Sequence, residues 1–155
     1  MQALTNSGCS VSRSFFRCAP CDVAATGFYQ VRGGITMCQN GYDHFSDDQI
    51  ARVMRHELTH AFDFCRADVN VNNCLHVACT EIRASMLSGE CSLGSEVLRL
   101  EVPPVGVARH FRSCVRRRAL LSISSLPHCK TSAEKAIDAA WNRCFNDKEP
   151  FDHRP

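Results

Sequence analysis

The sequence predicts an α+β fold that is mainly α-helical, with a small N-terminal β-hairpin and many disulfides. Two short β-prone runs flank a glycine turn at residues 32–34, and the later segments repeat apolar residues at helical spacing. Eleven cysteines are spread over the 155 residues. We expect residues 1–155 to form a single domain, because this length suits one hydrophobic core and no composition shift marks a boundary.

The formal net charge is only +2, so charge gives no reason to expect a nucleic-acid partner. The local exception is a group of arginines at Arg109, Arg112 and residues 116–118. These arginines either form a solvated helix face or contact anionic lipid or an acidic partner. No apolar run approaches the roughly eighteen residues of a membrane span, and residues 1–17 have the pattern of neither a secretory signal nor a transit peptide.

The cysteines are too numerous for an ordinary cytosolic enzyme, so we expect either a disulfide framework or a second metal site. Cys18 and Cys21 have C-x-x-C spacing, but no second C-x-x-C accompanies them, which makes a zinc ribbon the weaker alternative. We predict disulfides that tie the hairpin and the last helix to the central helices. The odd count leaves at least one thiol free or paired with another chain.

The hairpin is predicted from residues 28–31 and 35–38, which flank Arg32-Gly33-Gly34. A helix over residues 47–67 follows, because Ser46 and Gln49 form a capping-box pattern and no glycine or proline interrupts the segment. The residues expected to form its apolar stripe are Ile50, Met54, Leu58, Ala61 and Cys65.

This helix carries His56-Glu57-Leu58-Thr59-His60, the H-E-x-x-H pattern of zinc peptidases. Residues four apart share one helix face, so His56 and His60 can bind one catalytic zinc ion. Glu57 lies about 100° further round the helix and can act as general base on a water molecule without being a ligand. The alternative is two surface histidines with a chance glutamate between them. The motif predicts a zincin-like fold, with this helix packed on a second one.

We predict the second helix over residues 74–88, with Asn72 or Asn73 as N-cap and Gly89 as C-cap. Its expected buried stripe consists of Leu75, Ala78, Cys79, Ile82 and Met86. Residues 89–106 are expected to be a loop, because they contain two prolines and several glycines.

The third helix is predicted over residues 107–124, with Phe111, Val115, Ala119 and Ile123 facing inward. Residues 131–134, Thr-Ser-Ala-Glu, form a second capping-box pattern before a last helix. The residues expected on one face of that helix are Ile137, Ala140, Trp141 and Cys144.

A catalytic zinc normally takes three protein ligands and a water. We favour Glu81 as the third ligand, because it lies beside the buried stripe of the second helix and completes a His₂Glu set. His76 and Asp68 are the alternatives. His76 and Glu81 are about 140° apart on a helix and cannot easily serve the same ion. If Glu81 is not a ligand, we expect it to form a salt bridge with Arg83 or Arg55.

Asp63 lies one turn beyond His60, but it is roughly 10 Å from His56 along the helix axis. All three therefore cannot meet one ion on an unbroken helix. We predict that Asp63 orients His60, and an ordinary exposed carboxylate is the alternative.

An extended substrate of a zinc peptidase is commonly aligned by a strand beside the metal-binding helix. Residues 35–38 are our candidate for that strand, and a purely structural hairpin is the alternative.

Several sequence blocks together resemble the mitochondrial inner-membrane protease family that matures and assembles ATP synthase. The blocks are Arg-His-Glu-Leu-Thr-His-Ala-Phe-Asp at 55–63, His-Val-Ala-Cys-Thr-Glu-Ile-Arg-Ala at 76–84, Leu-Ser-Gly-Glu-Cys at 87–91 and Cys-Val-Arg-Arg-Arg-Ala at 114–119. The likeness extends from about Cys9 to Asp152. Residues 69–72, Val-Asn-Val-Asn, lack the aspartate–tryptophan pair associated with the family at that place.

The resemblance implies a single zinc metalloendopeptidase domain, peripheral to the inner membrane on its intermembrane-space side, a compartment that permits disulfides. It implies that the substrate is a membrane subunit of ATP synthase, from which an N-terminal segment is removed. It also implies an assembly role for the membrane sector that does not depend on cleavage. By position, His56 and His60 match the family's metal ligands and Glu57 its catalytic residue.

Two other classes of function remain open at this point. One is a non-catalytic assembly chaperone in which the metal site is idle or structural. The other is a binding protein for the DNA-repair protein Ku, a label carried by an animal branch of the family.

Overall fold

The structure is a computed structural model that describes residues 2–22, 25–42, 44–98 and 107–153. The chain divides into two compact units, residues 1–68 and residues 69–155. Helices and a small sheet make up the first unit, and helices the second, which confirms the α+β class. The zincin-like packing and the single domain over residues 1–155 stay predictions.

The first unit contains a three-stranded sheet in the order β1-β3-β2. β1 spans Phe16–Ala19, β2 spans Gly27–Gln30 and β3 spans Gly34–Cys38. β2 and β3 are antiparallel, with Tyr29 opposite Ile35, which confirms the predicted hairpin. β1 lies parallel to β3 on its other side, a pairing that the sequence pattern did not predict.

Gly34 allows the residue just before β1 to approach the backbone of the hairpin. Its backbone has a φ of 79°, in the left-handed region that favours glycine. A Cβ at this position would collide with the carbonyl oxygen of Phe15. Residue 34 must therefore be glycine for the parallel pairing to form.

The central position of β3 makes the predicted role of residues 35–38 wrong. Both edges of β3 are hydrogen-bonded, to β1 and to β2, and all five of its residues are buried. A peptide cannot add to a strand that has no free edge. The edge strands of this sheet are β1 and β2.

Helix α1 spans Gln2–Asn6 and helix α2 spans Asp47–Arg66. The predicted capping box at the start of α2 is confirmed. The Gln49 backbone N–H donates to Ser46 Oγ at 3.3 Å, and the Ser46 N–H donates to Gln49 Oε1 at 2.8 Å. The predicted stripe of α2 packs against a buried cluster of this unit, whose members are Leu4, Ile35, Met37, Ala61 and Phe62.

The second unit consists of α3 (Cys74–Leu87), α4 (Leu93–Leu98), α5 (Val107–Ser124) and α6 (Ala133–Cys144). Helix α5 has the predicted bounds, and Asn73 is the N-cap of α3, accepting the Leu75 N–H at 3.0 Å. Gly89 follows the end of α3 with a φ of 81°. The buried core of this unit includes Ile82, Met86, Val115, Ile123 and Ile137.

Three local predictions in the second unit are wrong. Leu75 is 44% exposed, because it lies at the first turn of α3 rather than in its packed middle. Helix α4 occupies part of the predicted loop at 89–106, of which residues 99–106 lie outside the described chain. The capping box at 131–134 does not form, because α6 begins at Ala133 and the Ser132 hydroxyl donates to the Cys129 carbonyl instead.

Arg83 is completely buried on α3 and holds the chain that follows α6. Its guanidinium forms an ion pair with the Asp147 carboxylate at 2.5 Å and donates to the backbone carbonyls of Asp147 and Glu149. A buried guanidinium must be paired, so these contacts fix residues 147–149 against α3.

We expect Arg83→Met to destabilise the protein by about 3 kcal/mol, because it leaves the carboxylate and both carbonyls without their donor. Urea unfolding with the disulfides intact measures the change. Arg143→Met on the exposed face of α6 is the matched control and should shift the unfolding free energy by less than about 0.5 kcal/mol. Equal effects of the two substitutions would contradict this assignment.

Ten of the eleven cysteines form five disulfides, which confirms the disulfide framework. The pairs are Cys9–Cys65, Cys21–Cys38, Cys74–Cys129, Cys79–Cys144 and Cys91–Cys114. The fourth pair ties α6 to α3, as predicted. The predicted link from the hairpin to a central helix is wrong, because Cys38 of β3 pairs with Cys21, and it is Cys9, before the hairpin, that is tied to α2. Each pair lies within one unit. Cys18 carries an exposed thiol outside the disulfides, so Cys18 and Cys21 do not form a zinc ribbon.

Three arginines of α5, Arg112, Arg116 and Arg118, have partners within the second unit. Arg116 forms ion pairs with Glu134 at 3.5 Å and Asp138 at 2.9 Å, and Arg118 with Glu90 at 2.8 Å. The Arg112 guanidinium lies over the Phe145 ring, 4.9 Å from its centroid. These contacts support the helix-face interpretation of the cluster. Within the described residues, no helix combines the length and the apolar character needed to cross a membrane.

Candidate metal centre

Helix α2 places the two motif histidines one turn apart on one face. Their ring centroids are 4.8 Å apart, and one nitrogen of each ring lies within 4.8 Å of a nitrogen of the other. A tetrahedral zinc with bonds of about 2.0–2.1 Å requires its ligand nitrogens to be about 3.3 Å apart. Small rotations of His56 and His60 achieve that separation, so the pair fits a zinc ion.

Glu57 lies between the histidines in sequence and is 7% exposed. The capped helix holds the backbone of this residue, so the carboxylate is placed by α2 itself rather than by a loop. In such a buried position, electrostatic interactions are stronger than in water.

Tyr42 is a residue of this region that sequence reasoning missed. Burial, with a smaller contribution from the nearby Glu57 carboxylate, raises the pKa of Tyr42 to about 12. The Tyr42 hydroxyl donates to the Thr26 carbonyl. Tyr42 is therefore a neutral phenol at physiological pH. The only signal in the sequence is a tyrosine just before the capping box of the motif helix.

Asp63 is buried, and Arg66 Nε donates to its carboxylate at 3.2 Å. The alternative of an ordinary exposed carboxylate is therefore wrong. The role of Asp63 in orienting His60 stays a prediction.

His76 and Asp68, the alternative third ligands, lie in different surroundings. The Asn70 backbone N–H donates to His76 Nδ1 at 3.2 Å, so this nitrogen is already used in fixing the loop before α3. Asp68 is exposed, after the end of α2. Glu81, the favoured third ligand, is partly buried in the middle of α3, next to Thr80 and Ile82, which are both buried.

An uninterrupted helix with H-E-x-x-H and both histidines on one face is the arrangement with which zinc peptidases bind their metal. The comparison of the whole chain agrees with this class. The chain belongs to the Peptidase M76 family, whose model matches residues 1–152.

Three relatives show how far the similarity extends. The mitochondrial inner membrane protease ATP23 of Debaryomyces hansenii is 42% identical over 148 residues, which are 94% of this chain and 61% of that protein. The ATP23 homologue of Xenopus laevis is 43% identical over 159 aligned residues, covering all of this chain and 66% of the relative. The human homologue is 41% identical over the same length, covering 63% of the relative.

The chain thus spans about three-fifths to two-thirds of the length of these curated relatives. No solved structure matches it.

Proposed function

We propose that this protein is a mitochondrial zinc metalloendopeptidase that cleaves a polypeptide at the inner membrane. The observation that carries the proposal is the capped helix α2, which presents His56, Glu57 and His60 in a chain that matches the M76 peptidase family throughout. When bound, zinc would polarise the scissile carbonyl and acidify the attacking water.

Each site residue has a separate role in the proposed reaction. His56 and His60 each provide one ring nitrogen to the metal, and Glu81 provides a carboxylate oxygen as third ligand. Glu57 accepts a proton from the attacking water and passes it to the leaving amine nitrogen. Asp63 holds His60 in its orientation. A carboxylate third ligand is supported by the His₂Glu sets of other zinc peptidases.

The edge strand β2 is our candidate for aligning the substrate, in place of β3. A Cβ on Gly27 would lie 3.2 Å from Val53 Cγ1, and the Tyr29 ring packs on Phe64 with centroids 5.5 Å apart. Val53 precedes the motif on α2 and Phe64 follows it, so β2 runs alongside the motif. Among the described residues β2 pairs only with β3, which leaves its other edge for an extended peptide.

N-methylation of a substrate peptide tests this alignment. Only alternate N–H groups of an added strand point towards β2. We expect methylation at two alternate positions near the scissile bond to raise KM about two- to tenfold for each lost hydrogen bond. Peptides methylated at the intervening positions are the control. The same KM at both sets of positions would count against strand addition.

We further propose that the substrate is a membrane subunit of ATP synthase, which is cut near its N-terminus from the intermembrane-space side. It is supported by the sequence blocks that resemble the ATP synthase-maturing family and by relatives named as inner membrane proteases. Five disulfides are compatible with an oxidising compartment such as the intermembrane space.

The test uses pure protein with its disulfides intact. We expect about one zinc ion per chain by elemental mass spectrometry, and cleavage of a peptide from the N-terminus of a mitochondrially encoded ATP synthase subunit. Chelation should stop the cleavage and added zinc should restore it. A protein that binds no metal, or cleavage that continues after full chelation, would overturn the proposal and favour a binding or assembly protein.

A further inference from the structure

A second group of metal-ligating side chains lies in the second unit, where the start of α3 meets the turn between α5 and α6. We call Cys74, His128 and Cys129 the Cys74 cluster. One ligand atom of each of the three residues lies within 4.8 Å of the ligand atoms of the other two. None of the three has a role in the proposed peptidase site.

In this structure Cys74 and Cys129 form a disulfide, and their Cα atoms are 5.5 Å apart. Once reduced, two thiolates on one tetrahedral zinc would have to lie about 3.8 Å apart, given Zn–S bonds of about 2.3 Å. Rotation of the two side chains about χ1 can produce this separation without moving the backbone. The fold therefore holds the two Cα atoms at a separation that suits either a disulfide or a shared metal ion.

The surroundings of His128 favour a role as third ligand. Its Nε2–H donates to the Val71 carbonyl at 3.1 Å, which leaves the lone pair on Nδ1. Metal-binding histidines commonly donate their other ring N–H to a backbone carbonyl in this way, which fixes the tautomer and the orientation of the ring. The ring is exposed, so an ion can reach it from solvent.

Cys74 is the first residue of the fourteen-residue helix α3. A helix N-terminus stabilises a thiolate, and a thiolate is the form that binds metal. Once the disulfide is reduced, the cluster would thus combine a thiol at a helix N-terminus, an oriented imidazole and a second sulfur.

We propose that the reduced Cys74 cluster is a zinc-type metal site, with two thiolates and the His128 imidazole as ligands and water in the fourth position. Two molecules of a small-molecule thiol, or one dithiol, together supply two electrons and two protons to the Cys74–Cys129 bond, which becomes two thiols while the reductant becomes a disulfide. The divalent ion then displaces both thiol protons. A small-molecule disulfide, as oxidant, accepts two electrons from the two thiolates and two protons from water and becomes two thiols, which re-forms the Cys74–Cys129 bond and releases the ion. The start of α3 stays connected to residues 128–129 in both states.

The experiment measures metal protection of individual cysteines. Protein carrying His56→Ala and His60→Ala, which removes the proposed peptidase site, is reduced with excess thiol and passed into thiol-free buffer under argon. It is then alkylated with and without zinc, and the rate at each cysteine is read by mass spectrometry. We expect zinc to slow alkylation of Cys74 and Cys129 about tenfold or more. Cys18, Cys79 and Cys144 should change less than about twofold. Within the described residues, no histidine forms such a group with Cys79 and Cys144.

His128→Ala on the same background should abolish most of the protection, because loss of even an outer partner of a metal ligand weakens affinity about 10–100-fold. Cobalt in place of zinc provides an independent readout, since a thiolate–cobalt absorption band should appear with His128 and weaken without it.

The proposal would be overturned if zinc protected all cysteines equally or protected none of them. It would also be overturned if His128→Ala left the protection of Cys74 and Cys129 unchanged. Unfolding of the protein on reduction would overturn it as well, because the proposed site requires the cluster to stay folded. The peptidase test uses oxidised protein, so failure of one proposal is distinguishable from failure of the other.

Discussion

Glu57→Gln should lower kcat for peptide cleavage by at least about 10²–10⁴-fold and leave the zinc content unchanged. The amide keeps the shape of the side chain but cannot accept a proton from the attacking water. Because Glu57 is not expected to be a ligand, the loss should appear in kcat and not in metal affinity. Cleavage assays and elemental analysis of the same preparation measure both quantities.

The matched control is Glu134→Gln, the same substitution on the exposed first turn of α6. It should leave cleavage unchanged. A Glu57→Gln variant that turns over peptide at the wild-type rate would show that another group is the general base. If the assembly role implied by the family resemblance also applies, the Glu57→Gln variant should still support assembly of the ATP synthase membrane sector in cells.

Glu81→Ala should lose zinc and activity together, whereas His76→Ala should keep both. We expect the apparent zinc affinity to fall at least about 100-fold in the Glu81 variant, because loss of a direct ligand should cost no less than loss of an outer partner. His76→Ala removes the acceptor of the Asn70 N–H and should cost only about 1 kcal/mol of stability. Zinc stoichiometry of both variants after dialysis decides between the two residues.

The opposite result, with normal zinc in the Glu81 variant and zinc lost from the His76 variant, would make His76 the ligand. Retention of zinc by both variants would leave exposed Asp68 as the next residue to substitute. Circular dichroism reports helix content and therefore distinguishes these outcomes from unfolding. All five disulfides are kept in place during the measurement.

The sequence by itself determined the elements whose cause is local. The reciprocal hydrogen bonds of Ser46 and Gln49 involve residues three apart, and the shared face of His56 and His60 follows from a spacing of four. The bounds of α5 follow from apolar periodicity in the same way. Each of these features depends on residues that are near one another in the chain, so a short stretch of sequence contains the information that determines it.

The tertiary structure alone decided the features that join distant residues. β1 lies beside β3 through pairings between residues about nineteen positions apart. As a result β3 has no free edge, and β2 is an edge strand. Eleven cysteines allow many pairings, and only the fold selects Cys9 with Cys65 and Cys79 with Cys144.

The same reason applies to single side chains. Arg83 looks like an ordinary helical arginine in the sequence, yet it is buried because Asp147, 64 residues away, supplies its charge partner. Thr131 begins a plausible capping box, yet the Ser132 hydroxyl donates a hydrogen bond to the Cys129 carbonyl instead. The disulfide between Cys129 and Cys74 fixes the position of this turn. Local pattern determines where a helix can form, but burial and pairing depend on what the rest of the chain brings to it.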